Sequence, residues 1–221
     1  MITKTKAMQI PYLNQLTHVS AQESVAVLQV HGLRLSIDYI NWPDVYTFCP
    51  VTNVYLAHTG THLYVLYDVR GEQPRATVNE DGCQVCEDSC VEFFCQGLGD
   101  NHYINLEANC IGKMKASRRL GRKEDVTPLH SNTLARIERF ASLGNEPFGE
   151  KEVEQDWQLC LKIPMDIIFE NRTPQAIRAN FYKCADKSRK PHYVVWQPIK
   201  IDKPDFHRPE FFKELILETQ H

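Results

Sequence analysis

The sequence has no long apolar run. Its first residues, MITKTKAMQIPYLNQL, lack the continuous apolar segment of a secretory leader, and no later stretch could cross a bilayer as a helix. A cytoplasmic chain is therefore expected, or a secreted or periplasmic one if a leader has been trimmed. An excess of one charge is missing too. Lys and Arg number 25 against 28 Asp and Glu, a formal charge of −3. Such a balance gives no electrostatic footprint for nucleic acid or for an anionic membrane. There is no G-x-S-x-G elbow and no phosphate loop. Internal repeats and low-complexity linkers are also missing, so 221 residues read as one domain.

What is present suits a β-rich core. Hydrophobic residues make up 43% of the chain, ample for a core that needs no staple. Of the eight cysteines, Cys95, Cys110 and Cys160 fall inside apolar strand patterns and read as small core hydrophobes in a reduced chain. Strand-like segments follow one another: 25–30, 33–37, 53–58, 62–69, 90–96, 103–110, 157–163, 176–184 and 193–196. The segment 62–69 is apolar on both faces, as a central strand would be. Residues 210–217 have a mixed pattern, and 144–155 read as a long hairpin connection. Helix is minor, with 164–169 the best candidate because Pro suits a first turn. Many short strands without intervening helical periods predict an all-β fold, an antiparallel β-sandwich of jelly-roll kind.

Three of these strands share an apolar face and a polar one, because side chains alternate along a strand. Val91, Phe93 and Cys95 suit a core, as do Ile104, Leu106 and Ala108, and Ile177, Ala179 and Phe181. If the strands are neighbours, Glu92, Asn105, Glu107, Asn109, Arg178, Asn180 and Tyr182 line a common surface. Carboxylates, amides and a guanidinium match the adjacent hydroxyl pairs of a sugar. A solvated sheet face with an internal Glu–Arg pair would give the same pattern.

The segments that carry these residues resemble the family 9 carbohydrate-binding modules. CQVCEDSCVEFF is similar to the family's acidic pair followed by V-E, and YINLEANCIGKM to the strand and turn after it. NWPDVYTFCPVTNVYLAHTGTHLYVLYDV resembles its opening strands, and IRANFYKC, HYVVWQP and PDFHRPEFF its closing ones. The likeness runs from about Trp42 to Leu217. It implies an antiparallel sandwich with calcium as an accompanying ion, and a sugar held between two tryptophans. Glu92 matches the sugar-contacting glutamate, and Trp196 matches one tryptophan. The other should stand just before the acidic pair, where this chain has Cys86. The loss of one stacking face would cost about 1–2 kcal/mol, unless Tyr46, Phe48 or Tyr182 takes its place.

Other readings remain open at this level. Cys83, Cys86 and Cys90 with His58, His62 or His102 could form a zinc set, but a second well-spaced pair is absent. Asp68, Glu72, Asp81 and Glu87 are oxygen donors near loops, though solvated acids would look the same. Glu92 and Glu107 could be the paired carboxylates of a glycoside hydrolase. Against that, Arg178 is available to hold both ionised, whereas a general acid needs a raised pKa. The run KASRRLGRK reads as a solvated hairpin tip, and His207 as a structural histidine or a rim residue. The expectation is a non-catalytic module for a mono- or oligosaccharide. The alternatives are a glycosidase, or a sandwich that has lost sugar binding and contacts a protein or other ligand.

Overall fold

The computed structural model describes residues 8–169 and 174–219. Among these residues, fourteen strands form two sheets. In chain order they are β1 (Gln9–Ile10), β2 (Leu33–Ser36), β3 (Tyr39–Ile40), β4 (Val51–His58), β5 (His62–Arg70), β6 (Cys90–Gly97) and β7 (Tyr103–Asn109). They continue with β8 (Met114–Arg119), β9 (Thr127–Pro128), β10 (Glu138–Ala141), β11 (Trp157–Pro164), β12 (Ala176–Cys184), β13 (Tyr193–Val195) and β14 (Lys213–Leu217). The larger sheet runs β1-β14-β12-β6-β7-β8-β9, with β13 paired to β12 and β3 to β13. The smaller runs β10-β11-β5-β4-β2. All pairings are antiparallel except β1 with β14.

The alternation seen in the sequence is what packs the sandwich. Val91, Phe93, Cys95, Ile104, Leu106, Ala108, Ile177, Ala179 and Phe181 enter the core from the larger sheet. Val54, Leu56, Leu63, Val65, Leu159 and Leu161 meet them from the smaller one. β5 lies between β4 and β11, and all but its first and last residues are buried, as expected of a central strand.

One expected strand is a helix. Residues 25–30 lie inside α1 (Ala21–His31), whose buried residues Ala21, Ser24 and Leu28 follow a helical period. Its start is fixed by a capping box: Ser20 Oγ accepts from Glu23 N, and Glu23 Oε2 accepts from Ser20 N at 3.0 Å. The local β-branched run therefore yields to the cap and to burial on β4, β5 and β11, where Leu28 joins Tyr55, Tyr64 and Leu66. Two other helices are single turns, α2 (Ser131–Leu134) and α3 (Met165–Ile168). Pro164 precedes α3 as its N-cap. Residues 144–155 do connect two antiparallel partners, β10 and β11.

Candidate functional site

β12, β6, β7 and β8 are neighbours, so their outward side chains share one face. Glu92 stands opposite Tyr182 on one side and Glu107 on the other. Phe94 is likewise flanked by Asn180 and Asn105, and Cys90 by Cys184 and Asn109. Gly112, at φ +80°, turns β7 into β8 and places Lys115 opposite Glu107 and Arg119 opposite Tyr103.

Most of this face is not open. The segment between β13 and β14 crosses it as a strap and buries Phe206 and Phe212 against Phe94, Tyr103 and Tyr182. Polar groups of the sheet fasten the strap. Tyr182 donates to Phe206 O at 3.0 Å, and Asn180 Nδ2 to Gln197 O at 3.0 Å. Arg178 Nη2 donates to Pro209 O at 3.0 Å, and the Tyr103 hydroxyl meets His207 Nδ1 at 2.9 Å.

Where the strap leaves the sheet, a pocket of about 320 Å³ opens over Glu92, Glu107 and Cys184. Lys115, Arg119, Arg122 and Lys123 line one side; Cys86, Asp186 and Tyr193 line another, and Asp205, Phe206 and His207 come from the strap. A wider hollow of about 610 Å³ lies beside Asp81 and Arg139. There the charges are spent on each other, in a two-bond pair at 2.8 Å each. The pocket over Glu92 is the one onto which the polar faces of β6, β7 and β8 converge.

Burial dominates its electrostatics. Glu92 is 4% exposed and its carboxyl pKa is pushed well above the usual range, first by desolvation and then by Glu107. Cys184 Sγ donates to Glu92 Oε1 at 3.2 Å. Glu107 is also raised by burial, with Lys115 and Arg119 opposing the shift, and Asn105 Nδ2 donates to its Oε1 at 2.7 Å. His207 is pushed down to about 3 by burial and by Arg119, Arg122 and Lys115. Asp186 takes hydrogen bonds from the side chains of Tyr193 and Cys86.

The pattern of carbohydrate-binding family 9 matches residues 23–217. A candidate carbohydrate-binding protein from Bacteroides uniformis is 31% identical over 96% of this chain and 97% of its own, with a TM-score of 0.86. The chain belongs to carbohydrate-binding family 9. Its sandwich is shared with a family 9 module from Caldicellulosiruptor kristjanssonii solved with glucose, TM-score 0.59 at 11% identity over 97% of this chain and 96% of that one. The same organism's module with cellotriose gives 0.54 at 12% identity, over 97% and 94%. No curated protein matches the chain.

Against that family pattern, the residues expected to touch ligand divide sharply. Glu92 and Glu107 line the pocket, with Asn105 bonded beside them. Arg178, Asn180 and Tyr182 hold the strap instead. Asn109 is a clamp: its Nδ2 donates to Val78 O and Asp88 Oδ2, and its Oδ1 accepts from Lys113 N. Trp196 points to the opposite face, packing edge-on against core Phe181 at 5.6 Å. Trp42 and Trp157 are buried, so no tryptophan lines the pocket. Cys86 does line it, in the place of the expected stacking ring. Of the three substitutes considered, Tyr182 is buried, Phe48 packs on His192, and Tyr46 stacks on Tyr193 at 4.6 Å. Tyr193 itself reaches the pocket.

The expected ion pair of Arg178 with the glutamates is corrected by the register. Arg178 sits opposite Gln96 and Glu214, four residues along the strand from Glu92's partner Tyr182. It therefore cannot hold Glu92 or Glu107 ionised. The basic run is corrected as well: Lys115 and Arg119 belong to β8, a strand hidden in the sequence by its polar composition, while Arg122 and Lys123 form the exposed tip.

Among the described residues, the four acids offered for calcium do not gather into a site for it. Asp68 pairs with Arg70, Glu72 with Lys183, Asp81 with Arg139 and Glu87 with Lys187, so the four acids stand apart. Among the described residues, Cys90, Glu92 and Cys184 form the one group of three ligand side chains, with their ligand atoms within 4.8 Å of one another. That set is two-thirds sulfur, and calcium takes oxygen. The zinc set imagined from Cys83 does not assemble: Cys83 is exposed and His58 and His62 lie on the other sheet. His102 is paired with Asp125 at 2.7 Å.

Proposed function

We propose that this chain binds a saccharide without turning it over, in the pocket floored by Glu92 and Glu107. The observation that carries the reading is the convergence of two buried carboxyls, Asp186 and the cationic side of β8 on one open pocket, at the glutamate that the family motif singles out. Groups that both donate and accept suit hydroxyls, and a protonated carboxyl does both. Tyr193 supplies an apolar ring at the rim for a sugar face.

The raised carboxyls reopen one argument against hydrolysis, since no guanidinium ionises them. What supports binding over turnover is membership of a carbohydrate-binding family. Hydrolysis needs one carboxyl ionised as nucleophile or base beside one acid. Calorimetry with neutral and acidic monosaccharides and their β-linked disaccharides tests the reading, with Glu92→Gln and Glu107→Gln beside the natural protein. Binding weakened by either change is expected; binding that neither alters would overturn the site. Steady release of aryl aglycone that Glu92→Gln abolishes would replace binding by catalysis.

A further inference from the structure

The pocket has a chemical bias that a neutral sugar does not explain. Four cationic side chains, Lys115, Arg119, Arg122 and Lys123, line it together. Arg119 is 8% exposed, an unusual burial for a guanidinium. Its Nη1 donates to Arg122 O at 2.8 Å, while its buried Nε has no hydrogen-bond partner. A buried donor without an acceptor is costly, so the Arg119 guanidinium is short of a partner.

Among the described residues, the facing acids have partners other than Arg119. Asp205 lies 3.5 Å from Arg122, and Asp186 is hydrogen-bonded by Tyr193 and Cys86. Asn105 rather than Arg119 bonds to Glu107, and a cysteine bonds to Glu92. Four acids, Glu92, Glu107, Asp186 and Asp205, thus face the four cations, and it is Arg119 whose donor is left without a partner. His207 is lowered first by burial and only then by Arg119, Arg122 and Lys115.

We propose, resting on the saccharide reading above, that the ligand is an acidic sugar whose carboxylate, as in a hexuronic acid, is received by Arg119. A guanidinium edge offers two parallel donors that match the two oxygens of a carboxylate, and the pairing is charge-assisted. The sugar hydroxyls then fall toward Glu92 and Glu107, while Lys115 and Lys123 attract the anion at longer range.

The test compares methyl β-glucuronide with methyl β-glucoside, which differ only at C6, by calorimetry on the whole chain. The glucuronide is expected to bind about tenfold tighter or better, and its advantage should shrink as salt is raised from 50 to about 500 mM. Arg119→Met should erase the preference, and Arg119→Lys should restore only part of it. Because a buried change can harm folding, exposed Lys123→Gln serves as the second variant and should lower the preference modestly. Glucose 6-sulfate forms a third arm: tighter binding than the glucuronide would overturn the assignment to a carboxylate. Equal affinity for glucoside and glucuronide would overturn the acidic ligand and leave saccharide binding standing. Failure of all three sugars to bind would remove both.

Discussion

Lys183 offers a sharp test of how this sandwich tolerates charge. It is fully buried, and its Nζ donates to Glu72 Oε1 at 2.8 Å, to Cys184 O at 2.9 Å, and lies 3.0 Å from His192 Nε2. Glu72 also accepts from Ser89 Oγ and Trp157 Nε1, both at 2.9 Å. Lys183→Met fills the space and removes the cation, so Glu72 is left buried without its partner. Losing one member of a buried pair costs about 3–5 kcal/mol, which in a chain of this size lowers Tm by about 10 °C. The cost should depend on pH. In the natural protein His192 is held well below its ordinary value by burial and by Lys183. Its folded state refuses a proton that the unfolded state accepts below about 6.5, so stability is full above that pH and is lost as pH falls. Without Lys183 that opposition ends, and His192 Nε2 lies 3.6 Å from Glu72 Oε1, close enough to supply the missing charge. The deficit of the variant should therefore be largest at pH 8 and smaller at pH 5.5. Urea unfolding followed by tryptophan fluorescence measures both. A deficit below about 1 kcal/mol at pH 8, or one equal at the two pH values, would refute the reasoning.

Three further outcomes follow from the same geometry. Trp196→Ala should cost about 2 kcal/mol in denaturant melts, because Trp196 packs on Phe181 at the edge of the core, yet leave saccharide affinity within twofold. Cys86→Trp should place an indole on the pocket wall and gain about 1 kcal/mol of saccharide affinity by calorimetry. His207, held down to about 3, should make the protein lose stability steadily as pH falls from about 6.5 toward 3. His207→Gln should flatten that part of the profile, as melting temperature against pH would show.

The sandwich was legible because its strands alternate. Val91, Phe93 and Cys95 could be assigned to a core from spacing alone, and the register confirms that Glu92, Glu107 and Tyr182 stand side by side on the other face. Residues 25–30 misled because β-branched valines dominate them, while the cap that makes them helical lies upstream at Ser20. The site was only half legible. Alternation says which way a side chain leaves a sheet, not what lies above it. Arg178, Asn180 and Tyr182 look like binding groups in the sequence, but the strap covers them, and the strap has no period to read. Lys115 and Arg119 were hidden by their place in a run of surface-like charges. Their one signal was the turn at Gly112, which folds that run back beside Glu107.

The strap also has an evolutionary meaning. It supplies Asp205, Phe206 and His207 to the pocket but no strand to the sandwich, apart from the β13 and β14 ends that anchor it. Changes at its exposed positions, away from the packed Phe206 and Phe212, can reshape the wall facing a ligand while the two sheets keep their register. One frame can thus carry different pocket walls.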